Sequence, residues 1–246
     1  MPLISDEAAT TRIVYQEDDT TPSQQIMAEA QKAFDNPSDC LIVGADIGST
    51  AFMVAFRQPG EHRTELVSDW PGHDPQSQEN SSSTLPACLY YPPKPQPLPY
   101  WQRQLNVEKC SPDFNGDRVV EFWKAGLHPG TLLHSEVEAV ANRVGVRVEQ
   151  FAWDFTVLLL RTLFFDPGAV FKNQSHKALM TFSKPSSWLP EWFDVFVEAA
   201  ESLGFRRSQI VFVSETEALA REFMKENSRN SLRKGHLPLF KVIAVY

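Results

Sequence analysis

Asp46, Gly48, Ser49 and Thr50 are the residues whose types and spacing could do chemistry in this chain. They fall in Asp46-Ile47-Gly48-Ser49-Thr50, between two apolar runs, Leu41-Ile42-Val43-Gly44-Ala45 and Ala51-Phe52-Met53-Val54-Ala55-Phe56. A tight turn there is expected to leave several backbone N–H groups unpaired and pointing one way, a concavity that suits phosphate oxygens. Gly48 is expected to take positive φ and let the backbone approach a ligand closely. Ser49 and Thr50 add hydroxyl donors, and Asp46 can hold a cation or its waters. The chemistry is therefore the binding of a phosphate group with its metal ion. A Walker loop would need a lysine and a following helix, and this turn has neither. A glycine-containing hairpin turn with no ligand accounts for the same five residues, so both readings stay open on the residues alone.

A second acid stands out farther along. Glu215 follows a strand-like run and sits at a helix start, in Ser214-Glu215-Thr216-Glu217. A first-turn acid is also what the helix dipole favours, and Glu217 is accounted for as the capping-box partner of Ser214. The six histidines form no metal-like pairs, and Cys40, Cys88 and Cys110 lack metal-ligand spacing. The tryptophans, Trp188 and Trp192 among them, read as core or lobe-interface anchors. Arg229, Arg233, Lys234 and His236 read as a solvated loop.

The elements that must position these residues follow from pattern. Met1 to Asp39 reads as a weakly ordered acidic arm, with a short helix from Gln24 to Phe34. Leu41 to Asp46 reads as a buried strand, Ala51 to Arg57 as its antiparallel partner, and His62 to Asp69 as the third strand of a meander. Residues 70–134 form an insertion. Within it Leu85 to Tyr91 is a strand candidate, Pro92 to Pro99 a stiff connector, and Val119 to Ala125 a short amphipathic piece. Ser135-Glu136-Val137-Glu138 has capping-box spacing, and a helical pattern runs from it to about Phe165, divisible into two helices at Gly145. Lys177 to Phe182 is a strand. Pro190 opens a helix that Gly204 closes, and Gln209 to Val213 is another strand. Leu239 to Tyr246 starts a further strand. The result is α/β with a mixed sheet. A meander followed by helix–strand alternation, β-β-β-α-β-α-β-α, is the ribonuclease-H-like topology.

Composition narrows the function. The 246 residues suffice for one large domain or two small ones. A net charge of −8 and a pI near 5.3 argue against nucleic acid or a polybasic membrane-surface role. No run approaches the ~20 apolar residues that span a bilayer. The start of the chain has no apolar signal core, and three cysteines suit a reducing compartment, so the expected location is cytoplasmic.

On these segments the chain resembles the actin-like ATPase superfamily, and most of all the nucleotide-binding domain of seventy-kilodalton heat-shock protein relatives of the divergent fungal branch. Val43 to Thr50 resembles the first phosphate motif, Asp-x-Gly-x-Thr. Thr84 to Tyr91 resembles the strand after the meander, and Ala178 to Trp188 the strand that ends in a Val-Pro-Ala turn. Ile210 to Ala220 resembles the Asn-Glu-Pro-Thr-Ala-Ala connecting segment. The likeness covers most of Leu41 to Tyr246. It implies a first lobe over 40–226. Residues 227–246 would be a linker and the first strand of a second lobe, whose phosphate loop does not follow. It also implies that Gly48, Ser49 and Thr50 cradle the phosphates of ATP, that Asp46 binds Mg through water, and that Glu215 helps to order metal and attacking water.

Departures accompany the likeness. Thr216 replaces the connecting segment's proline, and Ser183-Lys184-Pro185-Ser186 departs from the Val-Pro-Ala turn. The lysine that chaperone members place near the γ-phosphate has no matching position. The expectation is a partial ATPase domain with weak ATP and Mg binding that does not hydrolyse ATP alone. The alternative is a non-catalytic interaction or remnant protein, with a protein partner on an exposed lobe face. A ribonuclease-H-like nuclease would need clustered carboxylates, and Lys177 to Phe182 supplies none.

Overall fold

The computed structural model describes residues 40–70, 83–93, 99, 114–185, 188 and 190–216. The acidic arm with its Gln24 to Phe34 helix, most of the proline-rich stretch, and everything after Thr216, the Leu239 to Tyr246 strand included, lie outside the described residues.

Alternation of apolar and small residues builds the centre of a mixed sheet. β1 (Leu41–Ile47) pairs antiparallel with β2 (Ala51–Arg57), with Ile47 opposite Phe52 and Ile42 opposite Arg57. On its other side β1 pairs in parallel with β7 (Ala178–Lys184), and β7 pairs in parallel with β8 (Ile210–Ser214). Across the sheet the order is β3-β2-β1-β7-β8, with β3 at Glu65–Leu66, so an antiparallel meander continues into parallel strands. The parallel connections use helices, which is the usual way to carry a chain back to the same end of a sheet.

The third strand is much shorter than the pattern of His62 to Asp69 suggests. β3 is only Glu65–Leu66, both exposed, and beyond it the buried Val67 adds one N–H bond to the Val54 carbonyl of β2 at 2.8 Å. The rest of that edge of β2 is taken by β4 (Thr84–Pro86), opposite Ala51–Met53. The expected single strand from Leu85 to Tyr91 is therefore two. β5 (Leu89–Tyr90) turns away to pair with β6 (Val119–Val120), and Pro86, which has no N–H, marks the end of the first piece.

Helices follow among the described residues. α1 (Trp123–Gly126) is a single turn, α2 is Leu132–Val144, α3 is Val148–Leu160, and α4 is Pro190–Glu201. α2 starts three residues before the expected capping box. Thr131 is the N-cap, its hydroxyl accepting from His134 N–H at 3.1 Å, and Ser135 lies inside the helix. The divide at Gly145 holds: its φ of +82° ends α2 in the left-handed region. α3 is buried almost all round and widens into a π turn over Arg161–Phe165.

The core lies between one face of the sheet and these helices. Val43, Ala45, Ile47, Phe52, Met180 and Phe182 from the sheet meet Phe151, Phe155, Leu159, Phe196 and Ala200. Phe155 sits edge-on to Phe52 with ring centroids 5.1 Å apart and also meets Trp123 at 5.0 Å. Each such ring contributes a few kcal/mol through burial, roughly 1.5–3 by area. Trp123 is fully buried, and this locks the single turn α1 against the core. Gly126 brings α1 close to α2, since a Cβ there would lie 2.5 Å from the side chain of Val137. Among the described residues no helix is long and apolar enough to cross a membrane.

Candidate functional site

The parallel strands β1, β7 and β8 end on one edge of the sheet, at Ile47, Lys184 and Ser214. Open α/β sheets bind ligands at the carboxyl ends of their strands. A cleft of about 220 Å³ lies there, lined by Gly48, Ser49, Lys124, His128, Trp188 and Glu215, among others. A larger cavity of about 410 Å³, beside β6 and α2, is lined by apolar side chains with the carboxylates of Glu121 and Glu136, and by no cation or hydroxyl. Volume alone is a poor guide, and the smaller cleft is the one with converging polar groups.

Lys124 dominates the cleft. Its side chain is only 5% exposed, and such a cation needs partners. The ammonium donates to the backbone carbonyl of Ile47 and to Glu215 Oε1, the latter at 2.6 Å. The Trp188 ring lies 5.7 Å away, near enough for a cation–π contribution. α1 places this lysine, because the neighbouring Trp123 is fixed in the core. One side chain thus joins the end of β1, the residue after β8 and the wall of the cleft.

The turn differs from expectation in two ways. Gly48 does not use positive φ: among the described residues the glycines in that region are Gly60, Gly130, Gly145, Gly168 and Gly204. Glycine is needed because a Cβ at position 48 would lie 2.6 Å from the carbonyl oxygen of Ala51. Gly48 N–H donates to that same oxygen at 2.8 Å. Ile47 N–H donates to Ser183 Oγ at 3.2 Å. Hairpin closure and β7 thus take two of the N–H groups expected to be free. Among the described residues, no protein group takes the N–H groups of Ser49 and Thr50, and both residues are exposed.

Asp46 is exposed, and its Oδ1 accepts from Ser183 Oγ at 2.6 Å. Of the expected site residues, Gly48, Ser49 and Glu215 line the cleft, whereas Asp46 and Thr50 lie outside its lining. The Thr50 carbonyl instead accepts from Ala87 N–H at 2.9 Å, tying the turn to β4. Glu215 opens a helical turn, as its pattern predicts, and its partner is a lysine. Among the described residues no group of three or more histidines, cysteines or acids is placed to hold a metal ion.

Lys124 and Ser183 are the residues that pattern reasoning missed. Lys124 lies 77 residues from Ile47, so no local period links them. The available signal was a lone charge inside Phe122-Trp123-Lys124-Ala125-Gly126-Leu127, an otherwise apolar stretch.

A second polar cluster is buried away from the cleft. Tyr91 Oη donates to Asp154 Oδ2 at 2.6 Å, and Gln150 Nε2 donates to Asp154 Oδ1 at 2.9 Å. Burial pushes the Asp154 carboxyl up, against the lowering effect of these two hydrogen bonds. The Tyr91 phenol is also pushed up, first by burial and then by the adjacent carboxylate. These groups tie the segment after β5 to α3, and nothing about them points to a ligand.

No protein-family model matches the chain, and no curated protein matches it either.

Proposed function

We propose that the described residues form the first, ribonuclease-H-like lobe of an actin-like ATPase fold, and that the cleft at the end of β1 receives the terminal phosphates of a Mg-nucleotide. The observation that carries the reading is the buried Lys124 ammonium. It stands beside the Gly48–Ser49 turn and is held by Ile47 and Glu215. A cation of this kind fills the role for which the heat-shock relatives use a lysine near the γ-phosphate. The sheet order β3-β2-β1-β7-β8, antiparallel and then parallel, supports the fold.

The residues present fit the ligand in charge and in donors. Lys124 and the Ser49 N–H and hydroxyl would hold phosphate oxygens, and Asp46 would hold Mg through water. Bound Mg neutralises phosphate charge. Glu215 fixes the lysine, and the resemblance would also have it orient a water. The proposal is binding and not turnover: phosphoryl transfer needs charge neutralisation from several sides.

Isothermal calorimetry with ATP, with and without Mg, tests this. Weak binding is expected with Mg, and both Lys124→Met and Asp46→Asn should weaken it at least about tenfold, or 1.4 kcal/mol. No heat at millimolar nucleotide would overturn the reading.

One observation favours a second reading, a non-catalytic interaction protein. Glu215 already answers the charge of Lys124, and two N–H groups of the turn are satisfied within the protein. On that reading the ion pair only joins α1 to β8, and the same calorimetry separates the two.

A further inference from the structure

We propose that Ser183 is a positioning residue that aims Asp46, and through it the divalent cation. The inference rests on the nucleotide reading above.

Ser183 lies on β7 beside the end of β1, where Ala45 pairs with Phe182 one step earlier. Its hydroxyl does two things at once. It accepts from Ile47 N–H at 3.2 Å and donates to Asp46 Oδ1 at 2.6 Å. An N–H can only donate, so the Ile47 contact occupies a lone pair of the hydroxyl. The hydroxyl hydrogen is then left for the carboxylate. Backbone geometry thus fixes the direction of the side-chain bond. Ile47 is fully buried, so its N–H has no water to turn to and holds the hydroxyl in place.

The consequence falls on Asp46. An exposed aspartate on a strand normally samples several rotamers. Here one carboxylate oxygen is held by a short hydrogen bond to an ionised acceptor, the stronger class of such bonds. Among the described residues no protein group takes the other oxygen, which is the one that would face a cation or its waters. A cation ligand works best when a neighbouring group fixes its orientation. Ser183 supplies that group from a strand 137 residues away. Neither Ser183 nor Asp46 lines the cleft, so Ser183 acts on the Asp46 carboxylate and not on a phosphate in the cleft.

The test uses the full chain and the variants Ser183→Ala and Ser183→Thr. Three-bond Hα–Hβ couplings of Asp46 report its rotamer without any ligand. The wild type and Ser183→Thr should show one dominant rotamer, and Ser183→Ala should show averaging. Calorimetry with ATP then separates the cation from the phosphate contacts. Ser183→Ala should lose about tenfold in affinity when Mg is present and little when it is absent, and Ser183→Thr should restore the loss. Averaged couplings in the wild type, or couplings unchanged by Ser183→Ala, would overturn the proposal. So would an equal loss of affinity with and without Mg, the mark of a merely structural role. If the wild type binds no nucleotide, the nucleotide reading falls. The Mg role of Ser183 falls with it, and only the hold on Asp46, read from the couplings, survives.

Discussion

The Lys124–Glu215 pair should respond asymmetrically to loss of its two members. Lys124 is 5% exposed, and Glu215 is 43% exposed. Glu215→Ala leaves a buried ammonium with one carbonyl as its close partner. Breaking a buried pair from one side costs about 3–5 kcal/mol, and the half-exposed position of Glu215 reduces this to about 2–3. Lys124→Met leaves a carboxylate that water can reach. It removes a buried charge but strands the Ile47 carbonyl, a loss of about 1–3 kcal/mol offset by the charge no longer buried. The net for Lys124→Met should stay within about 1 kcal/mol of the wild type. The double variant should match Lys124→Met alone, a coupling of about 2 kcal/mol. Urea unfolding is the assay. Glu215→Ala should lower the midpoint by about 1 M at an unchanged slope, and Lys124→Met should barely move it. If Lys124→Met costs as much as Glu215→Ala, the ammonium is not an uncompensated burden in the core. Lys124 is then not a cation held ready for an anion.

Three further outcomes are expected. Tyr91→Phe removes a 2.6 Å bond to a buried carboxylate and should cost about 1.5–3 kcal/mol in the same urea assay. Asp154 has its folded pKa raised by burial, so its stabilising contribution is complete below the unfolded value and is lost as pH rises through the folded one. The melting temperature of the wild type relative to Asp154→Asn should therefore increase as pH falls from about 8 to about 4, and an increase in the other direction would refute this. Gly48→Ala should cost about 1–2 kcal/mol by displacing the Ala51 carbonyl, whereas Gly44→Ala, with no atom within 4 Å of the added Cβ, should not destabilise. Thermal melts of the two variants compare them directly.

What was legible in the sequence was whatever local pattern controls. Leu41 to Asp46 and Ala51 to Arg57 announced themselves by apolar runs around a short turn, and β1 and β2 match them. Pro190 and Gly204 marked α4 by backbone constraints that act within a residue or two. The edge of β2 was not legible, because which short segment pairs there depends on burial against distant residues. His62 to Asp69 has a strand's composition, yet its ladder is Glu65 and Leu66 alone, with one further N–H bond from Val67 to Val54. Ser135 had the right spacing for a cap, but Thr131 lies earlier and its hydroxyl reaches His134 N–H first. At the site, the glycine turn and Glu215 were visible as motifs. Their link was not, since Lys124 reaches Glu215 across 91 residues and no period carries that information.

The parallel pairing of β1 with β7 also sets an order of events at birth. Asp46 and Ser183 are separated by 137 residues. At ordinary rates of synthesis the second appears on the order of ten seconds after the first. The β1–β2 hairpin can close early, since its contacts are local. The far edge of β1, its row of backbone N–H and C=O groups, must wait for β7 to leave the ribosome, and its apolar face at Leu41, Val43 and Ala45 for the helices that cover it. A nascent chain halted between the two strands would hold an open edge that invites another chain.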